Sequence, residues 1–263
     1  MFRHPYADPV TSPKRKTILI TGASAGLGAE MARQFAALGH DLALCARRTD
    51  QLDTIRAGIL AAHPDRRVEV RALDVADDDQ VFEVFRAFQQ DFGTIDRVIV
   101  NAGVGKGAPL GTGGYDANRQ TAMTNFVAAL AQCEAAMEIF RAQDSGHLVV
   151  ISSMAAMRGM PKAMTTYGAT KAGVAHLAEG LRNELHGKPI KVSVIYPGYI
   201  ASEMNSGVDP AKVRGMVSTE KGVRAMVDAI EKEKGSACVP PLPWAPMSVV
   251  MKYAPLPVFK RLS

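Results

Sequence analysis

Cysteine is scarce. Three residues, Cys45, Cys133 and Cys238, stand far apart in a chain of 263. That excludes a disulfide framework and a cysteine-based zinc site, and it reads as the reduced thiols of a cytoplasmic protein. The six histidines are scattered, with no pair at helical metal-ligand spacing, so no metal centre is expected. No apolar run approaches the roughly eighteen residues of a transmembrane helix. The N-terminus is polar, carries Pro5, Pro9 and Pro13, and lacks the pattern of a secretory signal. Charge is thin as well: the net value is +5, with no long block of one sign. Neither a basic stripe nor a reader motif is present, so no nucleic-acid partner is expected. Solenoid-length repeats and composition breaks are also missing, which leaves one domain.

What the chain has is apolar residues, 47% of the total. They fall into short runs rich in β-branched residues, at Thr17–Thr21, Leu42–Ala46, Arg67–Ala72, Ile95–Val100, His147–Ser152, Ile190–Tyr196 and Ala237–Val239. Most runs are apolar on both faces, as strands inside a parallel sheet must be. Between them lie stretches of helical spacing, including Leu27–Leu38, Asp78–Phe92, Met123–Arg141 and Ala169–His186. This alternation predicts an α/β, Rossmann-like doubly wound fold: a seven-stranded parallel sheet with helices on both faces. Residues 1–16 read as a flexible arm, 17–239 as the domain and 240–263 as an apolar tail.

The first strand runs into Thr21-Gly22-Ala23-Ser24-Ala25-Gly26-Leu27-Gly28, and a helix follows. Gly22 suits a tight turn, Gly26 a close approach of backbone to pyrophosphate, and Gly28 close packing of helix on strand. The helix N-terminus then offers free amides to phosphate. The plainer alternative is a tight β–α turn with no ligand. After the second strand comes Arg47-Arg48, where an acidic residue would hold the ribose hydroxyls of NAD. Guanidinium groups there suit a 2′-phosphate and favour NADP(H); a solvated pair at a helix start is the alternative.

Tyr167 and Lys171 are four residues apart in a helical stretch and share one face. An ammonium beside a phenol favours the phenolate and makes tyrosine a usable proton donor or acceptor. Asn125 sits in an apolar helical stretch, where asparagine is unfavourable without a partner.

The spacing T-G-x-x-x-G-x-G, followed by Asn101-Ala102-Gly103 and by Tyr-x-x-x-Lys, resembles the short-chain dehydrogenase/reductase family over roughly Lys16 to Val239. The resemblance implies several roles. Asp74-Val75 would lie against the adenine, and Asn101, Ala102 and Gly103 would line the cofactor channel. Ser153 would bind the substrate oxygen, with Ser152 the alternative, and Asn125 would hold water in a proton relay to Lys171. Pro197-Gly198, Ile200 and Ser202 would flank the nicotinamide. Many NADP-preferring relatives carry a basic residue before the middle glycine; here it is Ala25, so Arg47 and Arg48 must select the cofactor alone. The implied activity is reversible hydride transfer between NADPH and a ketone or secondary alcohol by a homodimer or homotetramer. A non-catalytic NADP-binding sensor or scaffold is the competing reading.

The loops after strands five and six hold Met154, Met157, Met160, Met164, Met204 and Met216. They suit a hydrophobic or lipid-like substrate, such as a 3-oxoacyl compound or a steroid, or simply fill gaps in the core. Arg158 and Lys162 could meet an anionic head group or face solvent. The tail could pack on the domain, contact an oligomer partner or, less favoured, lie on a membrane surface.

Overall fold

The computed structural model describes residues 15–105, 107–205 and 215–262. Seven parallel strands form one sheet: β1 (Thr17–Thr21), β2 (Asp41–Ala46), β3 (Val68–Ala72), β4 (Arg97–Val100), β5 (Gly146–Ile151), β6 (Ile190–Pro197) and β7 (Ser236–Val239). Their order across the sheet is β3-β2-β1-β4-β5-β6-β7. The chain reverses its direction of winding between β1 and β4. A crevice therefore opens beyond the C-terminal ends of those two strands, which is where doubly wound sheets bind ligands.

Side chains alternate between the faces of a strand. Ile18, Ile20, Leu42, Leu44, Ile99, Val149, Ile151 and Ile195 form one face of the core. It is covered by α1 (Gly26–Ala37), α2 (Thr49–Ala62) and α7 (Thr219–Glu231), through residues such as Phe35, Ile55 and Met226. Leu19, Ala43, Val98, Leu148, Val150 and Val192 form the other face. It is covered by α3 (Asp78–Phe92), α5 (Ala128–Gln143) and α6 (Met164–Glu184), through Phe85, Phe140 and Val174 among others. Each fully buried large side chain contributes about 1.5–3 kcal/mol. Local chemistry sets helix ends: the Asp77 carboxylate accepts from Gln80 N–H to open α3, and Gly93 closes it at φ +76°.

The helical stretch predicted over Met123–Arg141 is longer and less regular. It begins as α4 (Tyr115–Ala122), widens into one π-helical turn at Met123–Val127 and continues as α5. The tail folds too, into α8 (Pro241–Tyr253), broken at Leu242, and α9 (Leu256–Leu262). Residues 1–14 of the expected arm lie outside the described residues. Arg15 is anchored: it is buried, and its Nε is 2.8 Å from the Glu233 carboxylate.

Near the N-terminal ends of the strands, a polar group is buried in the sheet. Arg97 is 1% exposed. Its Nε donates to His147 Nδ1 at 2.9 Å, and another of its nitrogens pairs with the Glu231 carboxylate. His147 Nε2 lies 2.7 Å from Ser193 Oγ. No helix among the described residues is long and apolar enough to cross a membrane.

Candidate active site

The loops after β1 and β4 are tied together at the crevice. Thr21 Oγ1 accepts from the backbone N–H of Asn101 and of Ala102, both at 3.1 Å. Asn101 Nδ2 donates to the Thr21 carbonyl at 2.9 Å. Gly22 and Gly26 have φ of +63° and +53°, a region that side chains rarely occupy. A methyl group on Gly28 would collide with the Gly22 carbonyl and lie 2.8 Å from Asn101 Nδ2. The glycine loop therefore leaves bare backbone against the start of α1. No side chain caps that helix at Ala25, so its first amides face outward. These features fit a pyrophosphate. Gly28→Ala is expected to abolish nucleotide binding and lower Tm, because both collisions are with atoms that hold the loop. Titration calorimetry and thermal melts check this, and unchanged binding would remove the loop from the site.

Arg47 and Arg48 are exposed at the C-terminal end of β2. Arg48 Nε is 3.4 Å from Ser24 Oγ in the glycine loop, and Nη2 is 3.2 Å from the Glu203 carboxylate. Asp74 is exposed; its carboxylate accepts from the N–H of Ala76 at 3.1 Å, while Val75 is buried.

The second half of the site comes from β5, α6 and the π-helical turn. Asn125, buried in that turn, grips the Val104 backbone with both ends of its amide: Oδ1 accepts from the N–H and Nδ2 donates to the carbonyl, each at 2.8 Å. The wider turn aims Asn125 at the loop after β4, which explains an otherwise unfavourable asparagine. Isolated π turns of this kind are frequent at functional sites. A methyl group on Gly103 would lie 3.1 Å from Asn125 Oδ1 and 3.5 Å from Lys171 Nζ. Asn125, Gly103 and Lys171 thus meet at one point.

Lys171 is buried, and its Nζ donates to the Ile151 carbonyl at 2.9 Å. Burial pushes its pKa down to about 8. Tyr167 lies one helical turn earlier and is hydrogen-bonded to the Ser153 hydroxyl. Burial pushes the phenol pKa up; the Ser153 bond opposes the shift and nearby Tyr199 adds to it. The sequence spacing predicts that the ammonium draws the phenol down. In the structure desolvation outweighs any such pull, because Lys171 Nζ is directed at a backbone carbonyl.

The two serines separate cleanly. Ser152 donates to the Lys171 carbonyl at 2.7 Å and so anchors α6 to β5. Ser153 accepts from Ala155 N–H at 3.1 Å and faces Tyr167.

Beyond β6, the Pro197-Gly198 step meets Trp244 of the tail, a pairing that sequence spacing does not encode. A methyl group on Gly198 would collide with the Trp244 indole, and the Tyr199 and Trp244 rings are 5.8 Å apart. Ile200 is buried and bridges to Val217, while Ser202 Cβ lies 3.7 Å from where a methyl on Gly26 would sit. Arg158 faces the tail, not a ligand. Its Nη1 donates to the carbonyls of Met251 and Ala254, and its guanidinium lies 5.2 Å from the Phe259 ring centre. Helix C-terminal carbonyls attract such a donor. Of the loop methionines, Met154 is core and Met204 is half exposed.

Comparison with known proteins agrees with this geometry. Residues 16–213 match the family model described as short chain dehydrogenase. An uncharacterized oxidoreductase of Mycobacterium tuberculosis is 50% identical over 254 residues, covering 97% of this chain and 100% of that protein. An uncharacterized oxidoreductase of Myxococcus xanthus is 35% identical over 191 residues, covering 73% of this chain and 74% of its own length. A short-chain dehydrogenase from Sphingobium yanoikuyae, solved in complex with NADPH, has a TM-score of 0.79 at 27% identity over 94% of both chains. The chain belongs to the short-chain dehydrogenase/reductase family of oxidoreductases.

Proposed function

We propose that this chain is an NADP(H)-dependent reductase of ketones, reversible to the oxidation of secondary alcohols. The observation that carries the reading is the pairing of Ser153 with Tyr167, one helical turn from Lys171, which approaches Gly103 together with Asn125 beside the glycine loop. Gly22, Ser24, Ala25, Gly26, Leu27 and Gly28 would hold the pyrophosphate, with Arg47 and Arg48 on the 2′-phosphate. Asp74 and Val75 would flank the adenine. Asn101, Ala102, Gly103, Pro197, Gly198, Ile200 and Ser202 would line the nicotinamide end. When bound, the cofactor supplies the hydride.

The chain's own groups do the rest. Ser153, which accepts from Ala155 N–H and bonds Tyr167, would turn its O–H to the substrate oxygen and stabilise negative charge there. Tyr167 hands the proton to that oxygen and takes it back in the reverse direction. Lys171, held on the Ile151 carbonyl, would contact the nicotinamide ribose; Asn125, fixed to Val104, supports proton resupply. Trp244 and Tyr199 next to Gly198 fit an apolar wall for a hydrophobic or lipid-like carbonyl compound. Exposed Tyr115, Met123, Phe126 and Leu130 recur at helical spacing along α4 and α5, and suit a homodimer or homotetramer contact. Unpaired Cys45, Cys133 and Cys238 fit the cytoplasm.

The test is a panel of 3-oxoacyl thioesters, steroid ketones, quinones and simple ketones, followed by NADPH absorbance. Tight NADPH binding with no turnover on any class would favour a sensor or scaffold. NADPH is expected to lead NADH in kcat/KM, and Arg48→Asp to narrow that lead by about tenfold or more, since a charge-assisted contact becomes a repulsion. Equal efficiency with both cofactors in the unaltered protein would overturn the cofactor assignment.

A further inference from the structure

Glu203 occupies the arginine that the cofactor is expected to need. It opens a 3₁₀ turn, Glu203–Asn205, in the segment between β6 and α7. Ser202, Glu203 and Met204 together bridge three parts of the crevice. Ser202 packs toward Gly26 of the glycine loop. Met204 Cγ lies 2.7 Å from where a methyl on Gly105 would sit, in the segment after β4. Glu203 reaches past β1 to the end of β2, where its carboxylate is 3.2 Å from Arg48 Nη2 while Arg48 Nε faces Ser24 Oγ at 3.4 Å. The carboxylate therefore sits on the arginine at the position where a 2′-phosphate would be gripped. The pair is solvent-screened, with the side chains 47% and 65% exposed. A stronger anion can displace it without breaking buried structure.

We propose that Glu203 is a cofactor-selectivity residue: its carboxylate holds Arg48 as an internal stand-in for the 2′-phosphate, which NADP(H) must displace. This rests on the reading of Arg48 given above. A phosphate monoester carries close to two negative charges at neutral pH. On reaching Arg48 it replaces one carboxylate and repels it. Glu203 then moves outward, and Ser202 and Met204 on either side move with it. A nucleotide without the 2′-phosphate leaves the Arg48–Glu203 pair in place and meets no such competition. Glu203 therefore weakens NADPH binding selectively, and the affinity seen in the unaltered chain is a compromise between Arg48 and Glu203. The same displacement couples occupation of the adenosine end to the Glu203–Asn205 turn that follows Gly198.

The experiment is direct binding to the full chain, with no turnover needed. Trp244 is the only tryptophan and packs on Gly198, so its fluorescence, corrected for nucleotide absorbance, reports on one place in the crevice. NADPH and NADH are titrated against the unaltered chain, Glu203→Gln and Glu203→Ala, with calorimetry as a second readout. Loss of one exposed competing charge is expected to tighten NADPH about three- to tenfold and to change NADH by less than about twofold. Salt should shrink the difference between variant and parent. Unchanged NADPH affinity in both variants would overturn the proposal. So would equal tightening of both nucleotides, which would assign Glu203 to general blocking of the crevice. An unaltered chain that binds NADH but not NADPH would overturn the NADP(H) reading itself, whereas NADPH binding that ignores Glu203 overturns only the role of Glu203.

Discussion

Tyr167→Phe is expected to lower kcat by about 10²–10⁴-fold while leaving NADPH affinity nearly unchanged. The substitution keeps the ring and its packing at the start of α6 and removes one oxygen. That oxygen is the only Tyr167 atom able to exchange a proton, and Ser153 is bonded to it. Burial keeps the phenol protonated at neutral pH, so in the resting chain it stands ready as an acid. Hydride delivery to a carbonyl carbon without a proton donor leaves an alkoxide, which Ser153 alone can only stabilise through a hydrogen bond. The measurement is kcat on the best substrate from the panel, beside a nucleotide titration of the same variant. Undiminished turnover would remove Tyr167 from the chemistry. A parallel loss of nucleotide binding would instead show a role in shaping the crevice.

Acid should unfold this protein earlier than its carboxylates alone would dictate, and His147 is the reason. Arg97 Nε can only donate, so His147 Nδ1 accepts, and the ring proton sits on Nε2 facing Ser193. Protonating Nδ1 would set one N–H against another inside the sheet. Burial, and then the Arg97 charge, push the His147 pKa from 6.5 down to about 3; Arg15 acts in the same sense, while Glu233 and Glu231 oppose it. Between those two values the unfolded chain holds a proton that the folded one does not, so stability falls as pH falls. The full contribution is present above about pH 6.5. At about 1.4 kcal/mol per unit, roughly 3 kcal/mol is gone by pH 4.5 and about 4–5 kcal/mol by pH 3. Glu231, held down to about 2 by His40 and Arg97 against its own desolvation, adds a second loss as pH drops from 4.5 toward 2. That part is smaller, because Glu231 is 33% exposed. His147→Gln keeps an acceptor for Arg97 and a donor for Ser193 but cannot titrate. Urea melts from pH 7.5 to 4.5 should show a shallower pH slope in the variant than in the parent. Equal slopes would mean that His147 does not govern acid stability.

The strands were legible because of a single physical constraint. A strand covered on both faces must be apolar at consecutive positions, and runs such as Thr17–Thr21 and Leu42–Ala46 satisfy it. Helix α3 was legible from end to end because Asp77 and Gly93 mark its limits chemically. The π-helical turn left no such mark. It arises from Asn125 reaching the Val104 backbone, a contact between residues 21 positions apart that periodicity does not encode. The tail was ambiguous for a related reason. Its apolar content favoured packing or assembly over a membrane surface without saying what it would touch, and only the fold shows Trp244 against Gly198 and Arg158 at the end of α8. A lone tryptophan and a glycine in P-G were the available signals, but nothing in their spacing links positions 198 and 244.

Near the site, the motifs by themselves determined which residue types were available. Glycines with positive φ, a hydroxyl–phenol–amine set and arginines after β2 are local features, each readable within a few positions. The family followed from their order along the chain. Only the tertiary structure decided what each group faces. It assigned Ser152 to the backbone of α6 and left Ser153 for Tyr167, because the two hydroxyls lie on opposite sides of an extended chain. Lys171 points at a carbonyl, so burial outweighs the charge effect on Tyr167 that spacing alone suggests. Glu203 stands on Arg48 although 155 positions separate them. Chemistry that depends on desolvation and on pairs distant in sequence is set by packing, and a linear pattern carries no information about either.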